Sequence, residues 1–133
     1  MIDVVAGIIW KDGRILLARR GKQKHLAGKW EFPGGKIELG ESAEIALERE
    51  LKEELSIQTR TEDFFDLNIH HYSSVSIKLQ AYNSAYISGE ICLSDHDKIE
   101  WVEIQDLLKY DFAEADIPLV YKLMQKFGYK DIN

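Results

Sequence analysis

Residues 35–57 read GKIELGESAEIALERELKEELSI, and the fold and function of the chain can both be inferred outward from this stretch. It is strongly acidic, with glutamates at positions 38, 41, 44, 48, 50, 53 and 54. A run of this kind is ordinarily a solvated helix face. A functional site is therefore indicated only if the spacing of the charges requires one.

The second half of the stretch has the pattern of an amphipathic helix. Residues 42–55 contain no Gly or Pro. An apolar residue recurs every four positions, at Ala43, Leu47, Leu51 and Leu55. This period predicts a helix that turns one stripe toward the core. Ser42 is the predicted N-cap, because its hydroxyl can accept a hydrogen bond from an amide of the first turn.

Three glutamates of this helix are spaced so that their carboxylates converge. Glu50, Glu53 and Glu54 are related by i, i+3 and i+4 steps and project from one side of the helix. Each such like-charged pair destabilises an isolated helix by roughly a few tenths of a kcal/mol. The arrangement makes sense chiefly if a cation binds there, and oxygen ligands suit Mg²⁺ or Mn²⁺.

The stretch as a whole resembles the Nudix box, written G-x(5)-E-x(7)-R-E-U-x-E-E-x-G-U, where U is apolar. The matching residues are Gly35, Glu41, Arg49, Glu50, Leu51, Glu53, Glu54 and Ile57. Ser56 stands where the motif has Gly, which usually ends the helix in a left-handed conformation, so Ser56 is expected to strain or reshape the helix exit. Residues 15–20, residues 30–38 and the C-terminal helix also look like MutT-type members of the family. The resemblance covers most of the chain.

This resemblance implies a fold, an activity and a metal site. The implied fold class is α/β, a Nudix α/β/α sandwich with a mixed β-sheet flanked by helices, as a single domain over residues 1–133. The implied activity is hydrolysis of a nucleoside triphosphate to a nucleoside monophosphate and pyrophosphate, with Mg²⁺ or Mn²⁺ as cofactor. Glu50, Glu53 and Glu54 would bind the metal, with the Gly34 carbonyl as a further ligand. Glu53 or a neighbouring carboxylate would activate water.

Further site residues follow from the same resemblance. Arg49 is expected to organise the catalytic carboxylates by pairing with the loop or with Glu41. Arg19 and Lys36 match positions that approach substrate phosphates, although an Arg at a strand end is often a surface charge. Asp95 aligns with an additional acidic metal ligand or base of MutT-type enzymes, although an Asp-rich turn leading into a strand would give the same sequence.

The choice of base is predicted from residues 112–118, FAEADIP. Family members that hydrolyse 8-oxo-dGTP carry Asn at the position of Asp116, whereas similar members acting on cytosine nucleotides carry Asp in an Ala-Asp-Ile-Pro sequence. A carboxylate accepts a hydrogen bond from the cytosine amino group, while an amide both donates and accepts. The alternative role of Asp116 is to cap the helix that begins near Pro118.

Aromatic residues on the predicted strands offer a stacking surface for the base, and the candidates are Trp30, Phe32, Tyr72 and Tyr82. Because aromatics at strand positions are more often core, only Phe32 and Tyr72 are predicted to contact substrate. His70 and His71 invite a metal interpretation. Adjacent residues on a strand face opposite ways, however, so at most one of them is expected to reach the site.

The remaining sequence predicts the rest of the sandwich. Apolar, β-branched runs predict strands at residues 4–10, 14–18, 30–32, 64–74, 75–87 and 99–102, the first two forming a hairpin. Residues 103–109 and 117–127 are predicted to be helical. Pro33-Gly34-Gly35 is expected to break regular structure. Cys92, between Ile91 and Leu93, is expected to be a buried structural thiol.

Composition excludes several classes of protein. The chain has 133 residues, 45% of them hydrophobic and 30% charged, which is typical of one globular domain. A formal net charge of −6 argues against long nucleic acid as a partner, since that needs a basic face. No signal peptide or spanning segment is predicted, which favours a cytoplasmic location and no membrane partner. Monomer and homodimer both remain open.

The favoured hypothesis is therefore a MutT-like nucleoside triphosphate pyrophosphohydrolase that prefers CTP, dCTP or 5-methyl-dCTP. The first alternative is an 8-oxo-dGTP diphosphatase. Hydrolysis of a dinucleoside polyphosphate or nucleotide sugar is disfavoured by the short chain and the MutT-like flanks. A non-catalytic nucleotide-binding Nudix module is disfavoured because such members typically lose the box glutamates.

Overall fold

The computed structural model describes residues 1–128, so residues 129–133 of the predicted domain lie outside the described part. Its strands are β1 (Ile2–Lys11), β2 (Arg14–Arg20), β3 (Trp30–Glu31), β4 (Gly34–Lys36), β5 (Gln58–His71), β6 (Ser76–Ser88) and β7 (His96–Val102). Helices α1 (Ala43–Leu55) and α2 (Ile117–Lys126) flank them, with 3-10 turns at Ile104–Lys109 and Glu114–Asp116. Within residues 1–128 no helix is long and apolar enough to cross a membrane.

The strands form one mixed sheet in the order β3-β2-β1-β6-β5. Strand β1 runs parallel to β6, from the pair Ile2 and Ile77 to the pair Trp10 and Ala85. The other pairings are antiparallel: β1 with β2 and β4, β2 with β3 and β7, and β5 with β6. The combination of parallel and antiparallel pairs confirms the mixed sheet that was predicted.

Successive residues of the central strands point into two different cores. On one side of the sheet Val5, Ile9 and Leu16 pack with the apolar stripe of α1, where Leu47 and Leu51 are fully buried. On the other side the core contains Ile8, Ile15 and Leu17 from the sheet, packed with Leu119 and Leu123 of α2. Each fully buried aliphatic side chain contributes about 1.5–3 kcal/mol of transfer free energy. The two cores make the predicted α/β/α sandwich.

The two ends of α1 are fixed by serine residues. Ser42 Oγ accepts a hydrogen bond from the Ile45 amide at 3.2 Å, which confirms Ser42 as the N-cap. At the other end Ser56 is left-handed, with φ 60° and ψ 30°, and its amide donates to the Lys52 carbonyl at 3.0 Å. Ser56 thus keeps the geometry that the motif glycine would adopt, in a conformation that a residue with a Cβ occupies only with strain.

The segment Pro33-Gly34-Gly35 does not break regular structure as expected. Residues Gly34–Lys36 form the short strand β4, which pairs with β1 through Ala6 opposite Gly34 and Val5 opposite Gly35. A Cβ at Gly34 would lie 1.9 Å from the Val5 carbonyl oxygen. The missing side chain therefore allows the two backbones to approach closely enough to pair.

Two other expectations need correction, and one is made more specific. Strand β5 begins at Gln58, not at residue 64, and its first part carries register shifts against β6 that hide the alternation in the sequence. The segment predicted to be helical at residues 103–109 forms a 3-10 helix over Ile104–Lys109. Cys92 is exposed and not buried as expected; it lies in the connection between β6 and β7, where its amide donates to the Leu55 carbonyl at 3.0 Å.

Candidate active site

A cleft of about 610 Å³ opens between β4, the start of β1, the C-terminal half of α1 and the loop of residues 21–29. The sequence-predicted residues that line it are Phe32, Gly34, Lys36, Glu50, Glu54, Tyr72, Asp95 and Asp116. Residues that line it without having been predicted include Arg20, Lys24, His25, Glu31 and His96. Three predicted site residues, Arg19, Arg49 and Glu53, do not line the cleft.

Close packing of β4 against α1 sets the position of Glu50. A Cβ at Gly35 would fall 2.3 Å from the Glu50 carboxyl carbon, so only glycine fits at this point of the strand. The Glu50 side chain is mostly buried, with 15% of its surface exposed. The first glycine of the box therefore has a packing role, since it lets the carboxylate reach the wall of the cleft.

Arg49 lies behind this wall and binds several groups at once. Its Nε donates to Glu41 Oε2 at 2.6 Å and its Nη2 to Glu41 Oε1 at 2.9 Å, a bidentate pair. Nη2 also donates to the Lys36 carbonyl at 3.1 Å. Nη1 donates to Glu50 Oε1 and to Glu53 Oε1, both at 2.9 Å. The hydrogen bonds that Arg49 donates to Glu41 are the largest cause of its raised pKa, so the guanidinium is a permanent cation joining loop and helix.

The acidic end of the cleft is formed by a carboxylate cluster of Glu31, Glu50, Glu54 and Asp95. Burial above all, and then the charges of Glu50, Asp95 and Glu31, raise the pKa of Glu54 to about 8. A hydrogen bond between the Asp95 and Glu54 side chains acts in the same direction. The cluster thus has more negative charge than its protein surroundings compensate, which is the condition that favours binding of a cation.

These residues fit a hard divalent cation in the chemistry of their donors, all of which are carboxylate oxygens. In residues 1–128, however, no group of three or more His, Cys, Asp or Glu side chains already stands in a metal-binding arrangement. The Glu53 carboxylate is paired with Arg49, and the Glu53 side chain is 53% exposed. The metal roles of Glu50, Glu53, Glu54, Asp95 and the Gly34 carbonyl all remain predictions.

The other end of the cleft contains Asp116, which is buried with 6% of its surface exposed. Its Oδ2 accepts a hydrogen bond from the Phe32 amide at 2.9 Å. Burial, and to a lesser extent the charge of Glu31, raise the pKa of Asp116 well above its ordinary value. Asp116 occupies the N-cap position of α2 but makes no side-chain capping bond there. Capping is therefore not the role of this carboxyl, which is turned toward the cleft.

Of the two aromatic residues predicted to contact substrate, Tyr72 has its side chain on the cleft wall, whereas the side chain of Phe32 is buried in the core. Tyr72 is partly buried on the cleft wall, where its hydroxyl accepts a hydrogen bond from the Ala115 amide at 3.0 Å. The Phe32 side chain is 2% exposed and packs on Phe112, so it presents mainly its backbone to the cleft. His70 pairs with Glu114, and the ring nitrogen Nδ1 of His71 lies 2.6 Å from Ser76 Oγ. Neither histidine lines the cleft.

The predicted role of Arg19 in phosphate binding is not supported by its position. Arg19 Nε donates to Asp97 Oδ1 at 2.7 Å, and its guanidinium lies 5.8 Å from the Trp30 ring centroid, outside the cleft. The next residue, Arg20, lines the cleft instead. The pairing of β2 with β7 carries a register shift at this point, where Arg19 pairs with Lys98 and Arg20 with His96. Alternation along the strand would have indicated that only one of the two could line the cleft.

Arg20 belongs to a polar chain that sequence reasoning missed. Arg20 Nη1 donates to Glu31 Oε1 at 3.0 Å, and Glu31 Oε2 lies 2.8 Å from His96 Nε2. The His96 side chain is almost fully buried, and its Nδ1 has no hydrogen-bond partner among the described residues. The chain holds Glu31 between the two ends of the cleft. The negative charge of Glu31 raises the pKa of both Glu54 and Asp116.

A cleft on an α/β/α sandwich, with the carboxylates of Glu50 and Glu54 from the box helix at its acidic end, is an arrangement that fits a class of hydrolases. Comparison with known proteins identifies the family. The family model for the NUDIX domain matches residues 4–122. The chain belongs to the Nudix family and is a hydrolase. Nudix hydrolases generally use a divalent metal.

Individual relatives cover nearly the full chain. The CTP pyrophosphohydrolase of Escherichia coli K12 is 41% identical over 124 residues, covering 93% of this chain and 92% of that protein. The 8-oxo-dGTP diphosphatase of the same strain is 33% identical over 123 residues, covering 92% and 95%. The solution structure of the E. coli ORF135 protein superposes with a TM-score of 0.86 at 38% identity, covering 100% of this chain and 95% of that one.

Proposed function

We propose that the protein is a Mg²⁺-dependent nucleoside triphosphate pyrophosphohydrolase that releases a nucleoside monophosphate and pyrophosphate and prefers cytosine nucleotides. The observation that carries this proposal is the two-ended cleft, in which the carboxylate cluster and the buried Asp116 face one continuous space of about 610 Å³. That space suits a nucleotide, whose charged and aromatic ends need different surroundings. Relatives named CTP pyrophosphohydrolase and 8-oxo-dGTP diphosphatase support the same activity.

The carboxylate end supplies the metal site. Glu50, Glu54 and Asp95 line the cleft and would hold the ion, joined by Glu53 and the Gly34 carbonyl. When bound, a divalent ion neutralises charge on the phosphate oxygens and lowers the pKa of a bound water. Glu53 is the proposed base.

The remaining groups of this end act through position and charge. Arg49 keeps the acidic side chains of the box from moving apart, through its bonds to Glu41, Glu50 and Glu53. Lys36 and Arg20 line the cleft and provide positive charge for the phosphates. Both are needed because the substrate is itself an anion entering an acidic cleft.

The base end supplies specificity through Asp116. The bond from the Phe32 amide engages Oδ2 and leaves Oδ1 for a base. An ionised Oδ1 accepts from the cytosine amino group, and this matches the preference inferred for the Ala-Asp-Ile-Pro sequence. The second candidate is 8-oxo-dGTP, and the raised pKa of Asp116 favours it, because a neutral carboxyl both donates and accepts as an amide does.

A substrate panel tests this proposal. CTP, dCTP, 5-methyl-dCTP, 8-oxo-dGTP, dATP and ADP-ribose are each incubated with the protein and Mg²⁺, and pyrophosphate and monophosphate release are measured. We expect the highest kcat/KM with a cytosine nucleotide. Glu53→Gln should abolish turnover while the thermal midpoint stays close to that of the wild type. Turnover of none of the six compounds would disprove the proposed activity, and full activity of Glu53→Gln would disprove the role of Glu53.

A further inference from the structure

The loop of residues 21–29 is fixed to the segment that carries Asp95. The Gly21 amide donates to the Asp95 carbonyl at 3.2 Å, and a Cβ at Gly21 would lie 2.9 Å from that oxygen. The Lys24 amide turns back to the Gly21 carbonyl at 3.0 Å, while Arg20 Nε donates to the His25 carbonyl at 2.6 Å. These bonds hold the middle of the loop over the acidic end of the cleft.

Two lysines of this loop face different surroundings. Lys24 lines the cleft, and its Nζ lies 3.3 Å from Asp95 Oδ1. Lys22 is exposed and does not line the cleft; its charge acts on Asp97, outside the site. The loop therefore places one cation beside the carboxylate cluster and a second, chemically identical cation away from it.

We propose, on the basis of the proposed function, that Lys24 is a substrate-binding residue that contacts the phosphates of a nucleoside triphosphate, and that its pairing with Asp95 is its resting position. Both side chains are more than two fifths exposed, at 43% and 42%, so the pair is solvated and easily exchanged. A lysine on a flexible stem can move its ammonium from a carboxylate to a phosphate oxygen that arrives beside it. The polyphosphate must enter next to Glu50, Glu54 and Asp95, where a movable cation reduces repulsion.

This role predicts opposite effects on two ligands. Without Lys24 the phosphates have one cation fewer, so a polyphosphate should bind more weakly. At the same time Asp95 is freed from its ion pair and the cluster becomes more negative, so a divalent cation alone should bind more tightly. If Lys24 served only to hold the loop in place, its removal would weaken the binding of the polyphosphate and of the divalent cation together.

The experiment compares Lys24→Ala with Lys22→Ala, a matched loss of one charge from the same loop. Calorimetry measures the binding of inorganic tripolyphosphate in the presence of Mg²⁺, and electron paramagnetic resonance measures the binding of Mn²⁺ alone. For Lys24→Ala we expect the Kd of tripolyphosphate and the KM of CTP to rise about tenfold, as for loss of one charge-assisted hydrogen bond. The kcat should stay within about twofold of wild type, and Mn²⁺ should bind at least about twofold more tightly. Lys22→Ala should leave all four quantities unchanged, and Lys24→Arg should restore most of the phosphate affinity.

The outcomes separate this proposal from the proposed function. The proposed role of Lys24 in phosphate binding is wrong if Lys24→Ala and Lys22→Ala bind tripolyphosphate with the same Kd. It is also wrong if Lys24→Ala binds both Mn²⁺ and tripolyphosphate more weakly than the wild type. If the wild type hydrolyses none of the nucleotides but tripolyphosphate binding still depends on Lys24, the proposed reaction is wrong and the phosphate site stands.

Discussion

Asp116 combines burial with a position facing the base end of the cleft, and its substitution by Asn tests base choice. Asn keeps an oxygen that can accept from the Phe32 amide, so the local backbone should stay in place. It replaces a carboxyl by an amide toward the base, which should lower the kcat/KM ratio of CTP to 8-oxo-dGTP by about tenfold, within the 1–3 kcal/mol of a good base contact. Steady-state kinetics with both nucleotides measure the ratio. An unchanged ratio would limit Asp116 to anchoring Phe32.

The raised pKa of Asp116 also predicts how stability depends on pH. Burial raises the pKa of this carboxyl in the folded state, so folding takes up a proton between the ordinary pKa and the raised one. The wild type should therefore lose stability as pH rises from about 4 through the folded-state pKa, by up to about 1.4 kcal/mol per pH unit. Asp116→Asn lacks this proton, so its free energy of unfolding relative to the wild type should increase over the same range.

Urea unfolding from pH 4 to pH 8 measures this difference. Asp3→Asn, which changes an exposed carboxyl in β1, is measured in parallel as the matched Asp-to-Asn substitution at the surface. A constant difference between Asp116→Asn and the wild type would show that Asp116 is ionised in the folded protein.

At the scale of elements, the two serines at the ends of α1 should respond to substitution in opposite directions. Ser56→Gly removes the strain of a Cβ at φ 60° and should raise the free energy of unfolding by about 1 kcal/mol. Ser42→Ala removes the hydrogen bond that the Ile45 amide donates to Ser42 Oγ, and should lower the free energy of unfolding by about 1 kcal/mol. Chemical denaturation measures both. Destabilisation by Ser56→Gly would show that the serine side chain contributes more than its conformation costs.

Helix α1 was predictable because its information is local. The four-residue apolar period and the capping serine lie within or beside the helix, and both were found where expected. Strand β4 was not predictable, because its pairing depends on Gly34 lying against Val5, a residue distant in sequence. Local propensity gives no indication of such an approach.

The site was predictable to a similar, limited extent. The box residues Glu50 and Glu54 reached the cleft because the helix period fixes their direction. Arg19 was predicted to approach the phosphates, but the structure places Arg20 on the cleft wall and Arg19 against Asp97. The sequence does not show which of two adjacent strand residues faces the cleft. Glu31 and His96 were missed because their contact joins β3 to β7, and nothing in either segment alone indicates the other.

At the scale of the whole molecule, the two layers supply different ends of one site. Helix α1 contributes the box carboxylates from one side of the sheet, and Asp116 comes from the segment that begins α2 on the other side. Glu31, on a sheet strand, lies between these ends and acts electrostatically on both Glu54 and Asp116. Charge bound at the carboxylate cluster is therefore expected to affect the stability of the entire fold, and not of α1 alone.

A divalent cation should accordingly stabilise the whole protein. Binding to the folded state alone adds RT ln(1 + [L]/Kd), about 2.7 kcal/mol when Mg²⁺ is at one hundred times its Kd. Thermal melts in EDTA and in Mg²⁺, with NaCl used to match ionic strength, measure this increment. Burial raises the pKa of Glu54 to about 8, so the comparison is made at about pH 9, where the wild-type side chain is ionised. There Glu54→Gln should melt higher than the wild type in EDTA, because one charge leaves a crowded cluster, yet should show a smaller increment with Mg²⁺. An equal increment with NaCl alone, or a full increment in Glu54→Gln, would show that the cation does not bind at this cluster.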